Sequence, residues 1–220
     1  MDIVEAIRLR KSIRGYRPDP VPNEVLGEIL ETATRAPSSL NSQPWEITVV
    51  TGRALDNIKQ TMLDMLKAGT TPHPLFVKPM EGKYRQRQVA VAVQIFKLMG
   101  IAREDKEKRA EWLGRGQRYY GAPAALLISL DNSLPDRHLL DIGALTQSIC
   151  ITALNYGLGT CIDDQGIPSP EVAKRFAGIP ESHRIVMCIA IGYPDWDLPA
   201  NKLESAREPL ENVVTWCGDA

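Results

Sequence analysis

A sheet covered by helices, of the α/β or α+β class, is the fold this sequence predicts, and three observations predict it. Four short strand-type runs occur, at 46–51, 123–130, 159–163 and 184–191. Longer segments with apolar residues at helical spacing separate them, so the connecting helices are available to cover the sheet. No internal repeat or low-complexity linker interrupts the 220 residues, which places the whole chain, 1–220, in one domain.

The first helix is expected over 2–9, where Ile3, Val4 and Ile7 share a face. It runs into RKSIR, residues 10–14, where Arg10, Lys11, Ser12 and Arg14 gather cations and a hydroxyl within five positions. Such a cluster is either a solvated basic turn or a site for an anion such as a phosphate, because Arg offers forked donors and Ser a short one. Turn residues from Gly15 to Pro22 lead to a helix over 23–35, with Asn23 as its cap and Val25, Leu26, Ile29, Leu30 and Ala33 as its buried stripe.

Pro37, Ser38 and Ser39 stop that helix and open the stretch PSSLNSQPW, 37–45. Its composition suits an ordinary loop. Asn41, Ser42 and Gln43 nevertheless add more hydrogen-bonding groups than a turn uses, and a planar polar ligand with several edge donors and acceptors would occupy them.

After the strand at 46–51 and a helix over 53–67, residues 68–82 are rich in Pro and Gly yet carry Leu75, Phe76, Val77 and Met80. They form either a lid, with His73, Phe76 and Tyr84 touching substrate, or a packed surface excursion. The helix over 84–100 has apolar groups on more than one face, so burial on several sides is expected, centrally or at a subunit interface. Residues 103–118 read as a solvated helix anchored by Trp112 and Leu113.

The continuous apolar run at 123–130 belongs in a sheet interior. A turn at 131–136 and a long helix over 137–156 follow, with Gly157 as the stop before the strand at 159–163. Gly166 serves either a tight turn or close approach to a ligand. Ser169 followed by Pro170 marks a helix start, running to about Phe176 before the last strand. Residues 192–220 lack a strong element of their own, which suggests that they wrap a second subunit.

Bulk properties narrow the function classes. Lys plus Arg total 26 and Asp plus Glu 27, so bulk attraction to nucleic acid or an anionic membrane is not expected. The acidic start does not read as a signal peptide and no apolar run is long enough to span a bilayer, so the expected location is cytoplasmic. Cys150 and Cys188 sit in apolar runs as buried thiols, no CxxC pair occurs, and the three histidines are scattered, so no metal site is expected.

Taken in order, RKSIR, PSSLNSQPW, YGLGT and IGYPDWDLPANKLESAREPL resemble the nitroreductase family of FMN-dependent oxidoreductases, over about residues 2–216. Within that family the sequence is most similar to the nitrobenzoate and nitroaromatic reductase branch. The resemblance implies an α+β fold with a central, mostly antiparallel sheet flanked by helices, and a homodimer in which the C-terminal segment is exchanged and FMN lies at the interface. It implies that Arg10, Lys11, Ser12 and Arg14 meet the phosphate and ribityl region, joined by Arg207 at the phosphate. Pro37, Ser38, Ser39 and Asn41 line the cofactor, with the serines reached from the opposite subunit, and Gln94 lies near the ring. Asp164, Gln165 and Gly166 match the loop beside the reactive flavin nitrogen, although some relatives carry a proline and a glutamate there.

The implied reaction is transfer of hydride from NADH or NADPH, through FMN, to a small nitroaromatic, with ping-pong kinetics and reduction through nitroso to hydroxylamine. No catalytic side chain is required, since the cofactor carries the chemistry. Three other readings stay open: a reductase of quinones, enones or free flavins on the same fold, a protein that stores or senses flavin, and a helical interaction module.

Overall fold

A computed structural model describes residues 1–70, 80–163 and 169–218. The elements are α1 (Ile3–Leu9), α2 (Asn23–Ala33), β1 (Glu46–Thr51), α3 (Gly52–Lys67), α4 (Gly82–Leu98), α5 (Lys106–Gly114), β2 (Ala124–Asp131), α6 (Leu139–Asn155), β3 (Gly159–Ile162), α7 (Pro170–Ala177) and β4 (His183–Gly192). Short 3₁₀ turns lie at Ser39–Asn41, Gly116–Gly121, Asp136–His138, Pro199–Lys202 and Leu210–Asn212. The strands form one sheet in the order β1-β2-β4-β3, and every pairing is antiparallel. The α+β class, with helices flanking an antiparallel sheet, is therefore observed.

β2 is buried on both faces because β1 and β4 flank it and helices cover it above and below. Its side chains alternate between two cores, as the period of two in a strand requires. Leu126, Ile128 and Leu130 meet Leu26, Ile29, Ile142, Leu145 and Ile149 from α2 and α6. Ala125 and Leu127 face Leu55, Ile58, Met62 and Ala173 from α3 and α7. Fully burying one such side chain contributes about 1.5–3 kcal/mol, so these two layers, rather than hydrogen bonds, hold the domain together.

Local chemistry explains the helix ends. The Asp2 carboxylate accepts the Val4 and Glu5 amides at 2.9 and 3.2 Å and caps α1. α7 begins as expected, with Ser169 at the cap position and Pro170 in the first turn. Asn23 does not cap α2: Pro22 occupies the cap position and Asn23 is already helical, so no side chain satisfies that end.

α4 departs from the expectation of burial within the fold. Only Ile95 is buried, while Val89 and Val93 are exposed. A central position is excluded for it. Among the described residues no helix is long and apolar enough to cross a membrane.

The N-terminal segment is stitched to the far edge of the sheet. Ser12 bridges Thr160 on β3, Ile13 donates its amide to the Thr160 carbonyl at 2.9 Å, and Tyr16 bridges Pro194. Gly159 makes the approach possible: a Cβ there would collide with Ile13 Cγ1 and would lie 2.8 Å from Pro194 Cγ.

Candidate functional site

Arg10 leaves the end of α1 and Arg207 follows the turn at Pro199–Lys202, and both line one cavity of about 480 Å³, with Lys11 and Ser205. Among the described residues neither guanidinium has a carboxylate partner; Arg207 Nη1 instead donates to Ser205 and Ala206 oxygens at 2.8–3.1 Å. Lys11 is 4.0 Å from Glu204, whose side chain is largely in water. Glu204 also lines the cavity but leaves three arginines and Lys11 in excess of it, and a phosphate dianion is the ligand that turns the remaining like-charge repulsion into charge-assisted hydrogen bonds.

Arg207 also lines a larger cavity, about 720 Å³, against α4, where Gln94, Lys83 and Arg87 are found. The tail is fastened there: Arg87 Nε meets Glu208 Oε1 at 2.9 Å and Asn212 Nδ2 donates to Glu208 Oε2 at 3.2 Å. Hydrogen bonding from Asn212 and then Arg87 holds the Glu208 carboxyl below its ordinary range. Tyr84, at the start of α4, is exposed, with Lys83 and Arg87 at 5.5 and 5.8 Å from its ring centroid.

Arg14 lies apart from Arg10. It lines a third cavity, about 270 Å³, with Phe96, Trp112, Tyr120 and Asp163. Its backbone is held from two sides, since Asn201 Oδ1 accepts its amide at 2.7 Å and Arg115 Nη2 donates to its carbonyl at 3.3 Å. Burial pushes the Tyr16, Tyr119 and Tyr120 phenols well above their ordinary range, so all three stay neutral donors. Tyr16 uses its proton on the Ala190 carbonyl at 3.1 Å. Ser12 lies over Thr160, with its hydroxyl beside the Cys161 thiol.

The 37–45 stretch folds into a tight knot. Leu40, Asn41 and Gln43 all have φ in the left-handed region, at 52°, 56° and 44°. Asn tolerates this conformation, whereas Leu does not favour it, and such strain persists only where surroundings fix it. Ser38 Oγ accepts the Gln43 amide at 2.9 Å, and buried Pro44 and Trp45 anchor the exit into β1. Ser39 donates its amide to Asp141 Oδ1 at 3.2 Å, and Leu40 is 99% exposed.

This knot and the Arg10 cavity do not meet within one chain. The knot is tied to Asp141 in the first turn of α6, whereas Leu9 and Lys11 share a groove with Leu154 and Gly157 at its other end. From Asp141 to Leu154 the helix rises about 20 Å. None of Pro37, Ser38, Ser39 and Asn41 lines the cavities that hold Arg10, Arg14, Gln94 or Arg207. His73, Phe76, Asp164, Gln165 and Gly166 lie outside the described residues.

Two residues that tie these segments together were not legible in the sequence. Asn201, fully buried, also donates to the Gly15 and Asp195 carbonyls at 2.8 and 2.7 Å. Asp141 carries the knot and meets His138 Nδ1 at 2.9 Å. Asn201 lies within the IGYPDWDLPANKLESAREPL stretch but nothing there marks its bonds, and Asp141 sits in no pattern that differs from an ordinary polar surface residue; their partners are remote in sequence or are backbone groups.

Comparison with known proteins defines the class. The profile of the nitroreductase family matches residues 7–193, and the chain belongs to that family. It is 30% identical to a nitrobenzene nitroreductase of Ectopseudomonas oleovorans, over 97% of this chain and 96% of that one. It is 48% identical to a putative NAD(P)H nitroreductase, YdgI, of Bacillus subtilis, over 98% and 97% of the two chains. In structure it is similar to the FMN and NADPH-dependent nitroreductase NfnB of Sphigopyxis sp. strain HMH, with a TM-score of 0.93, 26% identity and full coverage of both chains.

Proposed function

We propose that this protein is an FMN-dependent oxidoreductase that passes reducing equivalents from NADH or NADPH to nitroaromatic acceptors. The observation that carries the reading is the pair of guanidiniums, Arg10 and Arg207, lining one cavity with no carboxylate partner among the described residues. That donor set fits the phosphate of FMN. Family membership and the named relatives support the same cofactor and reaction.

When bound, FMN supplies the hydride chemistry, accepting from the nicotinamide and giving to the acceptor. The chain's own residues bind and orient it. Arg10, Lys11 and Arg207 hold the phosphate, and Ser12 and Arg14 serve the ribityl and ring region, the backbone of Arg14 being held by Asn201 and Arg115. Gln94 reaches the ring from α4, and the 164–166 loop contributes its backbone. Pro37, Ser38, Ser39 and Asn41 supply directional donors and acceptors to the far side, while His73, Phe76 and Tyr84 meet the small aromatic substrate.

The functional unit is a homodimer, each cofactor held between Arg10 and Arg207 of one copy and the 37–41 knot of the other. Two observations support this. The two halves of the site lie about 20 Å apart along α6 in a single chain. The chain also exposes Leu40, Leu140, Val93, Leu210, Val213 and Trp216, apolar side chains that water disfavours and a second copy would cover. The C-terminal tail, exposed at nearly every position from Glu204 to Gly218, is the segment exchanged.

Anaerobic rapid mixing with NADH or NADPH tests the reading. Bleaching of flavin absorbance within the turnover time, followed by reoxidation on adding a nitroaromatic, is the expected result. A protein that retains flavin but whose flavin is reduced by NADH and NADPH slowly or not at all is a storage or sensing protein instead. Fast reoxidation by quinones, enones or free flavin alone assigns a different acceptor.

A further inference from the structure

We infer that Asp141 is a positioning residue for the flavin, acting through the 38–43 knot; the inference rests on the functional reading above. Among the described residues, the knot's hydrogen bonds are internal apart from one: Asn41 and Ser42 amides return to Ser38 and Ser39 carbonyls, and Gln43 bonds to Ser38 Oγ and the Asn41 carbonyl. Buried Pro44 and Trp45 fix the exit of this closed knot into β1, but none of those internal bonds fixes where its Ser38–Asn41 side sits. The Ser39 amide donating to Asp141 Oδ1 at 3.2 Å supplies the fix.

Asp141 is itself held. Its other oxygen, Oδ2, meets Nδ1 of His138 at 2.9 Å, and both side chains are largely buried, 12% and 6% exposed. The carboxylate sits in the first turn of α6, where the helix dipole favours negative charge. The pair thus forms a rigid post of two oxygens, one taken by the imidazole and one presented to the knot. A hydrogen bond to a charged carboxylate is stronger than one to a neutral acceptor, which suits the task of holding three left-handed residues in place.

The post never touches the cofactor. Its effect reaches the flavin only because Ser38, Ser39 and Asn41 ride on the knot it fixes. Loss of the post lets the knot shift, and donors and acceptors displaced by an ångström lose much of their hydrogen-bond energy.

The test is fluorescence titration of flavin-stripped, full-length protein with FMN. Asp141→Ala is expected to weaken FMN binding about tenfold, and Asp141→Asn, which keeps an oxygen for the Ser39 amide, to restore it to within about threefold of the parent. Equal affinity in Asp141→Ala and parent overturns the inference, as does an Asn variant as weak as the Ala variant. Should Asp141→Ala fail to fold, Ser39→Pro against Ser39→Ala decides, because only the proline removes the amide donor and the preceding Ser38 is already extended, φ −143° and ψ 155°. A proline variant about tenfold weaker than the alanine variant supports the inference, and equal affinities overturn it. A parent that binds no FMN overturns the functional reading and this inference together, whereas a flavin-binding parent matched by its variants overturns the positioning role alone.

Discussion

Asn201 and Arg14 stand 187 positions apart in the chain, yet the amide side chain of one accepts the backbone N–H of the other at 2.7 Å. The same side chain donates to the Gly15 and Asp195 carbonyls, so one buried residue joins the basic N-terminal segment to the start of the C-terminal one. Arg14 is thereby anchored to the C-terminal segment, although it and Arg207 line different cavities.

Replacing Asn201 with Ala leaves one amide and two carbonyls without this partner in a fully buried place. The expected loss is about 3 kcal/mol of unfolding free energy. Urea denaturation of flavin-free protein measures it; a change below about 0.5 kcal/mol would mean that water replaces all three bonds.

Arg207→Ala removes the guanidinium proposed to meet the phosphate and should weaken FMN binding about 10- to 100-fold. Riboflavin, which has the same ring and ribityl chain but no phosphate, should bind parent and variant alike. Parallel titrations with both flavins check the assignment, and an equal loss for the two would move Arg207 away from the phosphate.

Thiol chemistry should sort the four cysteines by burial. Burial, and then the neighbouring Asp163, push the Cys161 thiol up to about 12, and burial also raises Cys150. A raised thiol stays protonated at neutral and mildly alkaline pH, and the thiolate is the reactive form. Cys150, Cys161 and Cys188 are buried while Cys217 is exposed. Counting alkylation by mass spectrometry on folded protein at pH 8 should find Cys217 modified and the other three only after denaturation. Modification of folded protein at Cys161 would contradict this environment.

The elements were legible because their signals are local. The unbroken apolar run of β2 marks a strand buried on both faces, and Ser169 with Pro170 marks the start of α7. Those signals need no knowledge of the rest of the fold. The role of Asn201 was hidden because its three partners are backbone groups, two of them at the other end of the chain. Asp141 looked like any acidic residue in a first helical turn, and only the fold brings Ser39 to it. α4 was legible only in part: Val89 and Val93 announce burial at the centre or at a subunit interface, and their exposure in the single chain excludes the centre. The basic cluster divided as well, since Arg10 follows α1 and lines the cavity shared with Arg207, whereas Arg14 lines another beside Tyr120 and Asp163.

The central claim is that each flavin is held by Arg10 of one copy and the 37–41 knot of another, and subunit complementation tests it most directly. Arg10→Ala and Asn41→Ala chains, carrying different affinity tags, are co-expressed and the mixed dimer is isolated, and its FMN content is compared with each parent variant. One site of that dimer would keep both contributions and the other would lose both, so the account predicts one tightly bound FMN per mixed dimer and weak retention by either variant alone. Two equally weakened sites in the mixed dimer would show that both contributions come from the same chain and would contradict it.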